Sequence, residues 1–145
     1  CGDAKARGSL RLARRLGVAS RIDWLGPRDD IPALMAAADL LVHPARQETT
    51  GQVILEALAL GLPVVTTAVC GFAEHVARAD AGVVLPPRFD ADRLAAALAS
   101  AGDAALRARW SQRAIAYVAA HDVTGGFEQA AEFIEQVAGE HARRT

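Results

Sequence analysis

The sequence is poor in aromatic residues, in lysine and in cysteine. Aromatic side chains make up 5% of the 145 residues, Lys5 is the single lysine, and Cys1 and Cys70 are the two cysteines. Two cysteines so far apart have neither a metal-site nor a redox-motif spacing, and we expect Cys70 to fill space as a small hydrophobe. No apolar run reaches the length of a membrane span and no signal peptide opens the chain, so we expect a cytoplasmic protein.

The chain also lacks an excess of charge of either sign. Its net charge is −1, which provides no general polyanion-binding signature, so a nucleic-acid partner is not expected. Hydrophobic residues make up 52% of the chain, and alanine and leucine dominate them. This composition favours helices over an all-β fold. The length suffices for one domain with a real core, and we take residues 1–145 as a single domain.

Charge is nearly absent from one long segment. Between Arg46 and Glu74 the only charged side chains are Glu48 and Glu56. A carboxylate is costly to bury unless something hydrogen-bonds it, so two lone glutamates in apolar surroundings indicate a ligand. The alternative is a solvated loop glutamate and a surface helix glutamate. Spacing alone leaves both interpretations open, and the absence of other charges around the two glutamates favours a ligand.

The same segment predicts a strand, a loop and a helix. Residues 39–43 are a short apolar run ended by Pro44, which is typical of a buried parallel strand. A loop then leads to Thr49 or Thr50, either of which is a good helix N-cap. Residues 52–60 are helix formers, and Gly61 ends the helix.

This arrangement suits a phosphate beside hydroxyl groups. In a parallel sheet covered by helices, ligands bind outside the carboxyl ends of the strands, where a helix N-terminus offers free N–H groups to a phosphate. Gly51 would let that phosphate approach the backbone. Glu56 lies five residues later, roughly 7.5 Å along the helix axis, and a carboxylate suits a sugar diol. A nucleotide sugar satisfies all of these features.

The rest of the chain predicts an α/β fold, a parallel sheet with helices on both faces. The predicted strands are residues 21–25, 39–43, 62–66 and 81–85. The predicted helices are residues 4–16, 31–38, 52–60, a helix started by Glu74, and residues 92–100, 103–121 and 127–141. Asp30 and Asp90 are expected to be helix N-caps.

Two further features have competing interpretations. Asp90 and Asp92 have the spacing of a DxD metal motif, but they open a helix, where Asp90 serves as N-cap and Asp92 complements the helix dipole. His43 ends a strand near the proposed ligand, where it is either a hydrogen-bond partner of a phosphate or sugar or a satisfied strand-end histidine. No second potential ligand stands at a metal-site spacing from His43.

The glutamate segment resembles a known family. Glu48-x7-Glu56, with Gly51 inside it and the run ALGLPVVTT after it, resembles the E-x7-E motif of retaining glycosyltransferases with the GT-B architecture. Residues 30–76 are similar, more closely, to the lipopolysaccharide core glucosyltransferases that add the first glucose to inner-core heptose. Family members often have two glycines in the loop after the next strand, and this chain departs from that pattern with Cys70-Gly71.

The resemblance implies a fold and a function. It implies a Rossmann-like sheet, the carboxyl-terminal half of a GT-B fold with added C-terminal helices, with the amino-terminal acceptor domain absent. The implied function is transfer of glucose from UDP-glucose to a heptose of the lipopolysaccharide inner core, without cofactor or metal. The acceptor would be met through the missing domain, and the full-length protein is expected at the cytoplasmic face of the inner membrane. This chain alone is not expected to turn over.

The resemblance also implies roles for individual residues. Glu48 would be the catalytic residue that holds hydroxyls of the transferred sugar, and Glu56 would bind the ribose diol. Backbone N–H groups of Thr50, Gly51 and Gln52 would bind the diphosphate. Arg28 would contact the base or the diphosphate, unless it is a solvated turn arginine.

Two other functions are compatible with the sequence. One is a different nucleotide-sugar enzyme of GT-B shape, either an epimerase or another glycosyltransferase. The other is a doubly wound binding module without chemistry, which failure to bind any nucleotide would favour.

Overall fold

A computed structural model of the chain describes residues 6–121 and residue 123. Within them no helix is both long and apolar enough to cross a bilayer. The predicted helix 127–141 lies outside the described residues. The helices are α1 (Ala6–Arg15), α2 (Ile31–Ala36), α3 (Gln52–Ala59), α4 (Ala73–Ala79), α5 (Ala91–Ala101) and α6 (Ala104–Ala120), and the strands are β1 (Leu41–His43), β2 (Val64–Thr67) and β3 (Gly82–Leu85).

The chain divides into two compact units, Cys1–Leu34 and Met35–Thr145. The first contains α1 and a 3₁₀ turn, Ala19–Arg21. The strand predicted at residues 21–25 is wrong, because Arg21 ends that turn and the next four residues have no regular structure. Alternation of polar and apolar residues offers one face, but a strand also needs a neighbour for its N–H and C=O groups. No strand pairs with this segment in the described part of the chain, and Trp24 is 46% exposed.

The second unit is built on a parallel sheet of order β1-β2-β3, which confirms the predicted fold class. Leu41 pairs with Val64, and Val64 pairs with Gly82 on its other side. The central strand β2 is buried at all four residues, as expected for a parallel strand covered on both faces. The three strands lie where the apolar runs predict them and begin one or two residues later.

Helices cover the two faces of the sheet. Val65 and Leu85 form a core cluster with Ala97 of α5. Helices α3 and α4 also contact the sheet, and α6 packs against α3, α4 and α5. The fully buried side chains include Ile54 and Leu58 of α3. This packing joins the helices around the sheet and fixes the ends of its strands.

Two aspartates cap the last two described helices. The carboxylate of Asp90 accepts the backbone N–H groups of Asp92 at 3.0 Å and Arg93 at 3.1 Å at the start of α5. The carboxylate of Asp103 accepts the N–H of Ala105 at 2.8 Å at the start of α6. The predicted role of Asp90 as a helix cap is therefore confirmed, and the DxD spacing belongs to a helix N-terminus.

The cap at Asp90 leads to a stability prediction. We expect Asp90→Ala to lower the free energy of unfolding by about 1 kcal/mol, because two N–H groups of α5 lose their acceptor. Asp92→Ala is the matched control, since Asp92 contributes only its charge near the helix start, worth about 0.3 kcal/mol. Urea unfolding followed by circular dichroism measures both. Equal losses for the two variants would contradict the capping role.

Candidate functional site

The candidate site lies at the carboxyl edge of the sheet, where the chain leaves β1 and β2. Two hydroxyl groups of β2 hold the segment that follows β1. Thr66 Oγ1 donates to the carbonyl oxygen of His43 at 3.1 Å, and Thr67 Oγ1 donates to that of Ala45 at 2.6 Å. Both threonines are fully buried. The loop that carries Glu48 is therefore anchored in the core strand.

Glu48 folds back onto the backbone of its own loop. Its Oε1 accepts the N–H of Thr49 at 2.9 Å and, more weakly, that of Thr50 at 3.4 Å. The Thr49 bond, followed by the Thr50 bond, lowers the pKa of Glu48 below its ordinary value, because both bonds favour the charged form. The side chain is 30% exposed. Glu48 is thus an ionised carboxylate, with its other oxygen available beside the loop.

The start of α3 differs from the prediction that Thr49 or Thr50 caps it. Gly51 is the N-cap, in the left-handed conformation with φ 71°, and no side chain caps the helix. A Cβ on Gly51 would lie 3.2 Å from both Cys70 Cβ and Ile54 Cδ1. The threonine prediction is wrong because the turn needs a left-handed residue without a side chain at this position.

A second loop, residues 70–72, braces the first. The N–H of Phe72 donates to the carbonyl oxygen of Thr50 at 3.0 Å. A Cβ on Gly71 would lie 2.7 Å from the carbonyl oxygen of Thr49. Cys70 lies in the core, with its Sγ 3.3 Å from Thr66 Oγ1. The Cys70-Gly71 pair of the sequence was the available signal for this contact, but it did not identify Thr49 and Thr50 as the partners.

Arg46 is a further side chain of the site that sequence reasoning missed. Its guanidinium lies over the ring of Phe89, 4.7 Å from the centroid, which ties the loop after β1 to the chain after β3. An open depression of about 520 Å³ lies beside it, lined by Arg46, Gln47, Glu48, Thr49 and Val69. A depression of this size can accept a hexose.

Glu56 is exposed, which corrects the expectation that both glutamates lie in apolar surroundings. The buried side of α3 is formed by Ile54, Leu55, Ala57 and Leu58. The expectation failed because the helix is apolar only on the side that faces the core. Thr50 and Gln52 are also exposed and Gly51 is buried, so the start of α3 is open between Glu48 and Glu56.

Arg28 belongs to the first unit. Its guanidinium forms two hydrogen bonds with the carboxylate of Asp30, at 2.6 and 2.5 Å. This pair lowers the pKa of Asp30 and raises that of Arg28. The carboxylate of Asp30 is therefore held by Arg28 and does not make the capping bond predicted for it. A nucleotide contact of Arg28 stays a prediction.

The described residues contain no group of three or more His, Cys, Asp or Glu side chains placed to hold a metal ion. What the second unit offers instead is an ionised glutamate, an open helix N-terminus and an exposed glutamate eight residues after the first. A parallel sheet with this E-x7-E arrangement at its carboxyl edge is that of the carboxyl-terminal half of a GT-B glycosyltransferase.

The chain belongs to the family described as glycosyl transferases group 1, whose model matches residues 1–103. It is 43% identical over 134 residues to the lipopolysaccharide glucosyltransferase WaaG of Escherichia coli, covering 92% of this chain and 36% of that protein. It is 41% identical over 109 residues to the D-inositol 3-phosphate glycosyltransferase of Salinispora tropica, covering 72% of this chain and 23% of that protein. The chain therefore spans about a third or less of these relatives.

Solved structures agree with this assignment. The crystal structure of WaaG, a glycosyltransferase involved in lipopolysaccharide biosynthesis, matches 89% of this chain and 35% of that chain with a TM-score of 0.85 at 43% identity. The structure of Anabaena HepE in complex with UDP matches 90% of this chain and 36% of that chain, with a TM-score of 0.74 at 31% identity. Both likenesses extend across most of this chain.

Proposed function

We propose that this chain is the donor-binding domain of a retaining glycosyltransferase that transfers glucose from UDP-glucose to a heptose of the lipopolysaccharide inner core. The observation that carries the proposal is the ionised Glu48 beside the open start of α3, with Glu56 exposed eight residues later. The 43% identity to the Escherichia coli lipopolysaccharide glucosyltransferase supports the sugar and the acceptor. The relative solved in complex with UDP supports the nucleotide.

In this proposal Glu48 holds the transferred sugar. One carboxylate oxygen is fixed by the backbone N–H groups of Thr49 and Thr50, so the other has a defined position. A carboxylate that accepts hydroxyl protons orients the sugar ring and places its anomeric carbon toward the acceptor, which lowers the entropic part of the barrier. The acceptor is supplied through the part of the protein outside this chain.

The diphosphate binds at the start of α3. The N–H of Ile54 is already bonded to the carbonyl oxygen of Gly51 at 2.9 Å. The N–H groups of Gly51 and Gln52 bind the diphosphate in this proposal, together with that of Thr50, which exchanges its weak bond to Glu48 Oε1 at 3.4 Å for the ligand. Gly51 leaves the close approach free of side-chain atoms. These N–H groups and the helix dipole stabilise the charge that develops on the leaving diphosphate. The resemblance to the GT-B family implies a reaction without metal or cofactor, and we propose the same here; Asp90 of the DxD spacing serves as a helix cap.

The position of the reaction in the cell follows from the proposed acceptor. Lipopolysaccharide is anchored in a membrane, so the acceptor heptose is presented at a membrane surface. We therefore propose that the protein is cytoplasmic and meets the inner membrane at its cytoplasmic face.

A titration of this chain tests the donor role. We expect calorimetry to detect binding of UDP-glucose and UDP, and weaker binding of ADP-glucose. Glu56→Ala is expected to weaken the binding of UDP-glucose and of UDP by the same factor, about tenfold. Both ligands contain the ribose that Glu56 would bind through a charge-assisted hydrogen bond.

The matched control is Glu74→Ala, which removes an exposed helix glutamate paired with Arg78 at 2.9 Å and should leave the affinities unchanged. A folded chain that binds none of the three nucleotides would contradict the donor role. A loss confined to UDP-glucose would contradict the assignment of Glu56 to the ribose.

A further inference from the structure

His43 is held rigidly at the end of β1. Its backbone pairs with Thr66 of β2, and its carbonyl oxygen accepts both the Thr66 hydroxyl at 3.1 Å and the N–H of Ala45 at 2.9 Å. The imidazole is 29% exposed. Because its backbone is bonded to β2 and to Ala45, the ring has a defined place beside the loop that carries Glu48.

One nitrogen of this ring has no hydrogen-bond partner. Among the described residues, 6–121 and 123, His43 Nε2 is the one buried side-chain nitrogen or oxygen atom that has no hydrogen-bond partner. A buried polar atom in this state is costly, and native proteins usually satisfy such atoms with protein, water or ligand. The two other histidines among the described residues do not share this property, since His75 Nδ1 lies 2.8 Å from the Tyr117 hydroxyl and His121 Nδ1 lies 2.9 Å from the Tyr117 carbonyl oxygen.

The unpartnered nitrogen faces the free oxygen of Glu48. Nε2 lies 3.7 Å from Glu48 Oε2, which is too long for a hydrogen bond between them. Oε1 of the same carboxylate is occupied by the N–H of Thr49. The two polar atoms are thus close together without a hydrogen bond between them, and one oxygen atom at about 2.8 Å from each would bridge them.

We propose that His43 Nε2 and Glu48 Oε2 together hold one hydroxyl of the transferred sugar, which makes His43 a specificity-determining residue for the donor. The hydroxyl oxygen accepts the Nε2–H of His43 and donates its own proton to Glu48. This hydroxyl would give His43 Nε2 a hydrogen-bond partner and would also hold Glu48 Oε2 in place. This inference rests on the proposed function, because it names a contact within the proposed donor site.

The chemistry of the gap selects a hydroxyl over other groups. A hydroxyl is a donor and an acceptor at once, which the combination of an N–H and a carboxylate requires. A phosphate oxygen bound to Nε2 would lie beside the Glu48 carboxylate and be repelled by it. An ammonium group would satisfy Glu48 and leave the His43 N–H without an acceptor. The diphosphate therefore binds at α3 and the sugar beside His43.

The test replaces the imidazole and the hydroxyl separately. His43→Phe keeps a planar ring and removes Nε2, and His43→Gln restores a side-chain N–H. Calorimetry compares the binding of UDP, UDP-glucose and a set of UDP-sugars that each lack one glucose hydroxyl. We expect His43→Phe to weaken UDP-glucose by about three- to tenfold, the usual worth of one hydrogen bond, and to leave UDP unchanged. The UDP-sugar that lacks the bridging hydroxyl should bind equally well to His43→Phe and to the original chain. His43→Gln should recover part of the affinity for UDP-glucose.

His121→Phe is the matched control, since it makes the same exchange at a histidine that lies outside the site, and it should change none of the affinities. The inference is overturned if His43→Phe binds UDP-glucose as the original chain does, or if it weakens UDP and every deoxy sugar equally. If Glu48→Gln weakens UDP-glucose while His43→Phe does not, the inference fails and the donor role stands. If the original chain binds no nucleotide sugar, both fail.

Discussion

Gly82→Ala is expected to unfold the second unit or to destabilise it by more than about 3 kcal/mol, in the range that marks severe core substitutions. Gly82 opens β3 with φ 154° and pairs with Val64 of the central strand. A Cβ built there would lie 1.8 Å from the carbonyl oxygen of Val64 and 2.7 Å from its carbonyl carbon. The clash is with backbone in the middle of the sheet, so no side-chain rotation relieves it.

Thermal and urea unfolding followed by circular dichroism measure this effect. Gly102→Ala is the matched control in the same unit, because Gly102 has a helical φ of −62° and its Cβ would come only to 3.0 Å from the Ala99 carbonyl oxygen. We expect the control to change the free energy of unfolding by less than about 1 kcal/mol. A Gly82→Ala variant as stable as the control would show that the β2–β3 register differs from the one described.

Glu48→Gln is expected to lower the affinity for UDP-glucose by about ten- to a hundredfold, as expected for hydrogen bonds to a charged group, and to leave the affinity for UDP nearly unchanged. The amide keeps one acceptor oxygen for the N–H of Thr49. It cannot also offer the second acceptor that the sugar requires. The loop therefore keeps its shape and loses its sugar contact.

Calorimetric titration of both ligands distinguishes this outcome from a general loss of structure. Glu74→Ala is the control, because Glu74 is an exposed helix glutamate paired with Arg78 and does not line the depression beside Glu48. Equal losses of affinity for UDP and UDP-glucose in Glu48→Gln would show that Glu48 contacts the nucleotide or maintains the loop structure. That result would contradict its assignment to the sugar.

The sheet and its flanking helices were predictable from the sequence because burial and capping leave local signatures. The run of residues 62–66 is apolar enough to indicate a buried strand, and Asp90 stands directly before a helical segment. The alternation at residues 21–25 predicted a strand that the structure does not form. Alternation describes a face, whereas pairing depends on a partner far along the chain.

The candidate site was predicted at the level of the segment and not at the level of the contact. The E-x7-E spacing located Glu48 and Glu56 on either side of a helix start. It gave no sign that Glu48 would bind the N–H of Thr49, that Gly51 would be the cap, or that Gly71 would lie against Thr49. These contacts depend on how the loop after β1 packs against the loop at residues 70–72. The spacing of residues within one loop does not predict that packing.

The threonine pair on β2 has a consequence for how the family can vary. Because Thr66 and Thr67 hold the carbonyl oxygens of His43 and Ala45, the length of chain between those two residues is fixed by the sheet. An inserted residue there would separate two buried hydroxyls from their acceptors. Among the described residues β2 makes no such bond to Arg46 or Gln47, so these two positions next to Glu48 have the most freedom to vary, with the strand ends as an unchanging frame.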